Sequence, residues 1–128
     1  MVKAAIEGLT LSLRREVTPF GITAMTVEAG GFRTDLAGRS LVQPETPIAD
    51  YVETAGKRRK EHDTAHGTQP GDPAKAANAI ITAVESDEPP AFLLLGTDAL
   101  NVFRRLTDAR LDTIKSWEKL STSTDITG

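Results

Sequence analysis

The chain has 128 residues, 15 basic and 18 acidic, for a net charge of −3, and contains no cysteine. That length fits one domain, and the charge balance argues against non-specific nucleic-acid binding, which needs a positive excess. The lack of cysteine excludes a disulfide framework and a thiolate metal site, and no apolar run approaches the roughly 20 residues that span a bilayer. The chain does not open on a basic region followed by an apolar core, so the expected setting is cytoplasmic, with no membrane or nucleic-acid partner.

Residues 3–17 read as a helix rich in Ala, Leu, Arg and Glu. Ile6, Leu9, Leu13 and Val17 fall on one apolar face. Gly8 interrupts that helix, and with Ala4 and Ala5 it forms a small-residue strip that suggests close approach of a neighbouring element. Thr18-Pro19-Phe20-Gly21 ends the helix. Residues 22–27 then form a β-branched, mostly apolar run without alternation, as in a strand of a parallel sheet buried on both faces. The strand runs into Glu28 and Ala29-Gly30-Gly31, where two glycines permit a sharp turn and leave no Cβ against a ligand. Phe32, Arg33, Thr34 and Asp35 follow at the mouth of the turn. Ligands of open α/β sheets bind beyond the carboxyl ends of the strands, so this loop is the first candidate site.

Residues 35–40 suggest a short helix, and Pro44 and Pro47 then break regular structure. Residues 48–62 have helical character, with Tyr51, Val52 and Ala55 as a weak face, and end in the polar stretch 64–71. Asp72-Pro73 is an N-cap followed by proline, which starts a helix reaching about Ser86 with Ala76, Ile80, Ala83 and Val84 inward. Residues 91–95 are a second continuous apolar run between Pro90 and Gly96 and read as a second buried strand. Thr97 or Asp98 caps a last helix to about Leu120, with Phe103, Leu106, Ile114, Trp117 and Leu120 on its long face. Residues 122–128 read as a flexible tail. The order is helix, strand, loop, helix, strand, helix, with one right-handed βαβ unit.

Other side chains carry weaker signals. His62 and His66 lie four apart beside Glu61 and Asp63, but Gly67 and Pro70 follow and no third ligand is placed, so no metal site is assigned. Lys57-Arg58-Arg59-Lys60 is flanked by acidic residues and reads as a solvated helix face. Tyr51 reads as a half-buried tyrosine on a weak helix face rather than a catalytic acid.

Two linked stretches resemble the short-chain dehydrogenase/reductase family. The stretch Lys3-Ala4-Ala5-Ile6-Glu7-Gly8-Leu9, with Leu13, Glu16 and Pro19-Phe20-Gly21-Ile22, is similar to that family's active-site helix from the lysine of its Tyr-x-x-x-Lys motif onward. Ala29-Gly30-Gly31-Phe32-Arg33-Thr34 is similar to its Pro-Gly-x-x-x-Thr loop, which holds the nicotinamide. Ala29 stands where that loop usually has proline, which leaves the turn less constrained. The resemblance covers residues 3–121 and implies the C-terminal part of a Rossmann-like, doubly wound α/β domain. The N-terminal half, with the dinucleotide-binding glycines, is then missing. Residues 41–71 would be the variable substrate-side segment.

The same resemblance implies an NAD- or NADP-dependent oxidoreductase moving a hydride between nicotinamide and a small carbonyl or alcohol. Lys3 would be the catalytic lysine, bonding the cofactor ribose and lowering the pKa of the catalytic tyrosine. Ala29, Gly30, Gly31, Phe32 and Thr34 would bind the cofactor. Counting back from Lys3 passes Met1, so the motif's tyrosine and serine are not in this sequence, and the isolated chain is expected to be inactive. A homo-oligomer formed through the helix near Lys3 is also implied. Two parallel strands are too few to bury their helices. The chain alone is therefore expected to be marginally stable or to self-associate, and the alternative reading is a non-catalytic self-association or interaction module.

Overall fold

A computed structural model describes residues 2–37, 40–42, 46 and 48–126, and the side chains of Val2, Lys3, Ala37 and His62 lie outside the described set. Helix α1 (Val2–Val17) leads through a 3-10 turn at Thr18–Phe20 to strand β1 (Thr26–Ala29). Short turns at Asp35–Ala37, Ala49–Tyr51 and Val52–Gly56 precede α2 (Lys57–Ala65), α3 (Pro73–Val84), β2 (Phe92–Leu95) and α4 (Thr97–Thr122). The two strands pair in parallel, with Thr26 opposite Phe92 and Ala29 opposite Leu95. The expected α/β class and βαβ order are therefore present.

Helices flank both sides of the strand pair. Glu28 shares a hollow with Ala4 and Glu7 of α1 and with Phe103 and Leu106 of α4. Val27, Ala29 and Leu95 instead face Ala76, Ala77 and Ile80 of α3. The Phe92 and Phe103 rings stack at 5.1 Å, which ties α4 to β2.

Arg14 joins α1 to the amino-terminal end of the sheet. Its guanidinium donates to the carbonyls of Ala24 at 2.8 Å, Pro89 at 2.8 Å and Pro90 at 3.4 Å. The planar five-donor group suits this task because the carbonyls come from the entries to both strands. Asp72 caps α3 as its sequence signal required, accepting from the Ala74 and Lys75 amides at 2.9 and 3.4 Å.

Several boundaries differ from the sequence reading. The first strand begins at Thr26, not Ile22, because the ladder starts only where Thr26 N–H reaches the Ala91 carbonyl. Ile22 is exposed and the Ala24 carbonyl is taken by Arg14. The short helix expected over 35–40 is a single 3-10 turn at Asp35–Ala37. Pro44 and Pro47 lie outside the described residues. No neighbouring atom approaches within 4 Å of a Cβ built at Gly8, so the close packing expected there is not found. Val84 is exposed rather than inward, while Ala76, Ala79, Ile80 and Ala83 of α3 are partly covered.

The core among the described residues is small. Leu95 is 7% exposed and Thr26 9%. The apolar faces foreseen on α1 and α4 exist but stand open, with Leu9 69% and Trp117 59% exposed. Exposed apolar surface at that scale invites association, as the sequence reading expected of an isolated chain.

Candidate functional site

Beyond Ala29 the chain leaves the sheet as a loop whose backbone donors can be followed one at a time. Gly30 N–H donates to the Leu95 carbonyl at 2.9 Å, extending the ladder past β1. Gly31 N–H donates to the Asp98 carboxylate at 2.7 Å. Arg33 N–H donates to the Gly71 carbonyl at 3.0 Å, and Gly71 N–H returns a bond to the Gly31 carbonyl at 2.9 Å. These two bonds form a parallel bridge between Phe32 and Gly71. Thr34 N–H closes a tight turn on the Phe32 carbonyl at 2.9 Å. The Phe32 N–H takes no partner among the described residues. The loop therefore spends four of its five successive amides, from Gly30 to Thr34, on the protein and keeps one.

The glycines have specific reasons to be glycine. A Cβ at Gly30 would fall on the Asp98 carboxylate, and one at Gly71 would lie 2.5 Å from the Phe32 ring and 2.7 Å from the Gly31 carbonyl. A Cβ at Gly31 would meet only ordinary contacts at 3.6–3.7 Å. The small residue at Gly30 thus makes room for Asp98 rather than directly for a ligand.

Asp98 departs from its expected role. The N-cap of α4 is Gly96, at φ 97°, and no side chain caps that helix. The Asp98 carboxylate turns chiefly to the loop, and the Gly31 N–H holds its pKa below the ordinary aspartate value, against a smaller opposing push from burial and with lesser help from the Ala99 and Asp98 amides at the start of α4. A carboxylate already seated on the Gly31 amide repels anions. The Gly-Gly turn therefore does not offer the array of free amides with which glycine-rich loops cradle phosphate.

The loop borders a cavity of about 640 Å³. Ala29, Gly30, Gly31, Phe32 and Thr34 all line it, so five of the residues singled out from the sequence converge on one space. Its far wall is apolar, built from Ala76, Ala77 and Ile80 of α3 together with Val27 and Leu95. The Thr34 hydroxyl accepts a long 3.4 Å bond from Leu36 N–H. Lys3 sits in the first turn of α1, and its side chain lies outside the described residues.

Sequence reasoning missed Gln69, Gly71 and Asp98. The Gln69 carbonyl accepts from Arg33 Nε at 2.6 Å, which locks the loop's outer side. Its side-chain Oε1 is buried without a hydrogen-bond partner, and Gln69 lines the cavity. A buried acceptor left unpaired costs about 1–3 kcal/mol, and with essentially no accessible surface it leaves the Gln69 stem, rather than Oε1, to meet the cavity. No local pattern marks Gln69, whereas the Gly96-Thr97-Asp98 turn after an apolar run was visible and was read as a cap.

The weaker candidates do not join the site. Tyr51 is exposed and lines a separate hollow with Ile48 and Val52. His66 lies at the end of α2, the His62 side chain is outside the described residues, and no metal-holding cluster of three ligands occurs among the described residues. No helix among the described residues is long and apolar enough to cross a membrane.

No family model matches the chain. It is 33% identical over 119 residues to Oxidoreductase BOA17 of Botryotinia fuckeliana (strain B05.10), covering 93% of this chain and 43% of that protein. It is also 33% identical over 122 residues to the uncharacterized oxidoreductase C162.03 of Schizosaccharomyces pombe, covering 94% of this chain and 41% of that protein. A crystal structure of a short-chain dehydrogenase from Streptomyces avermitilis is similar with a TM-score of 0.79 and 39% identity, over 95% of this chain and 44% of that one. The chain spans less than half the length of these relatives. By sequence and by fold, this partial Rossmann-like α/β unit belongs to the short-chain dehydrogenase/reductase family.

Proposed function

We propose that this chain supplies the nicotinamide-side wall of an NAD- or NADP-dependent oxidoreductase acting on a small carbonyl or alcohol. The observation that carries the reading is the convergence of Ala29, Gly30, Gly31, Phe32 and Thr34 on a single apolar cavity, with the Phe32 N–H left without a partner among the described residues. A primary carboxamide on a flat ring needs one donor and one acceptor beside an apolar wall. The occupied Gly31 amide and the Asp98 charge argue for an uncharged or cationic ligand end here rather than a phosphate.

Bound there, the nicotinamide supplies or accepts the hydride exchanged with the substrate carbon. Phe32 N–H would donate to the carboxamide oxygen, and the Thr34 hydroxyl would accept from its amino group. Val27, Leu95 and Ile80 exclude water from the ring. Thr34 offers a hydroxyl at the mouth, and residues 41–71 shape the substrate side. Lys3 bonds the ribose and holds down the pKa of a catalytic tyrosine that is not among the 128 residues. The chain alone is therefore inactive.

The test is titration of the purified chain with NADH and NADPH, read by reduced-nicotinamide fluorescence, alongside a carbonyl reductase assay. Binding that is weakened in Thr34→Val, without turnover, supports the reading. Turnover by the chain alone overturns the assignment of the acid/base to an external tyrosine, and absence of binding removes the cofactor reading. The open apolar faces of α1 and α4 favour a second reading, in which the chain is a self-association module. A concentration-dependent sedimentation coefficient with no cofactor binding would select it.

A further inference from the structure

We propose that Asp98 is the positioning residue of this loop, the side chain that decides which backbone amide is left for the ligand. Three observations converge on it. Asp98 is 67 residues from Gly31 in sequence, yet its carboxylate accepts the Gly31 N–H at 2.7 Å. A Cβ at Gly30 would occupy the space the carboxylate fills, so the loop is shaped around this side chain. Gly96 turns the chain at φ 97°, where a Cβ would also crowd the Asp98 carboxylate at 2.6 Å, so the start of α4 is shaped around it as well. Without an acceptor in that place, Gly31 N–H would be a second free donor beside Phe32 N–H. The loop would then have two competing ways of meeting a carboxamide, and neither would be held. The carboxylate removes one of them, and its charge turns anions away from the other.

This inference rests on the nicotinamide reading, and the experiment separates the two. Asp98→Ala and Asp98→Asn are made in the full 128-residue chain. The Gly31 amide and the Arg33 and Gly71 amides of the neighbouring bridge are followed by NMR and hydrogen exchange, and NADH is titrated in parallel. Asp98→Ala is expected to speed Gly31 amide exchange about tenfold and to weaken NADH about tenfold, the scale of one charge-assisted hydrogen bond, while the Arg33 and Gly71 amides exchange as before. Asp98→Asn keeps an acceptor oxygen and is expected to recover most of both effects. A general structural role would speed all three amides by the same factor, and that outcome overturns the proposal. So does a Gly31 amide indifferent to Asp98→Ala. If no variant binds NADH while the Gly31 amide still responds, the cofactor reading fails and the anchoring of the loop by Asp98 stands.

Discussion

The two ends of the strand pair are held by opposite chemistry. At the amino-terminal end one cation, Arg14, gathers three carbonyls from the entries to both strands. At the carboxyl-terminal end one anion, Asp98, takes one amide of the loop, Gly31, and leaves the neighbouring Phe32 amide without a partner among the described residues. The first arrangement saturates its acceptors and serves stability. The second is selective about its donor and fixes the loop beside the cavity. A parallel pair presents both ends to its connections, so a clamp at one end lets the other end stay partly unsatisfied.

The comparison can be broken most forcefully at the clamp. Arg14→Met should destabilise the chain by about 3 kcal/mol, since it strands carbonyls that had a charged donor. The shift in urea midpoint measures this, and Arg14→Lys should recover only part, because an ammonium lacks the planar fork. Gly30→Ala should break the other end at about 2 kcal/mol by driving a methyl group into the Asp98 carboxylate. It should also displace the Gly31 amide resonance, which Arg14→Met leaves near its place. Gly8→Ala tests the helix that carries the clamp without touching either end. With open space around Gly8, the substitution should raise the urea midpoint by about 0.5–1 kcal/mol equivalent.

The smallest effect is also the most selective. The pKa of Asp98 is held down in the folded chain, so the folded state takes up the proton less readily than the unfolded one. Its contribution is therefore full above the ordinary aspartate range, about pH 4, and is lost as pH falls through the lower folded value. Asp98→Asn should flatten the acid limb of the stability–pH curve slightly, and the Gly31 amide shift of the wild-type chain should titrate with a midpoint below 4 or so. A midpoint above that value would contradict the carboxylate–amide bond.

What the sequence revealed follows from how far each signal reaches. The cap at Asp72 and the Gly-Gly turn are decided by residues a few positions apart; the cap stands where it was read, and the turn starts one residue later, because Ala29 still pairs with Leu95. The onset of β1 depends on where its partner begins, some 65 residues later, and it was placed four residues early. The small strip at Gly8 suggested a neighbour, but small residues permit an approach without requiring one. Asp98 was misread because Asp near a helix start has a strong local use, and only the folded chain brings a better donor, Gly31, within its reach. Gln69 has no local signature at all, since it holds the loop through a backbone carbonyl that accepts from Arg33, 36 residues away.

The 67-residue separation of Gly31 and Asp98 also sets an order of events during synthesis. At about 5–20 residues per second, the loop leaves the ribosome several seconds before the residue that shapes it. Until then the Gly-Gly turn has its sequence but not its donor pattern. That pattern is set only when the first turn of α4 arrives.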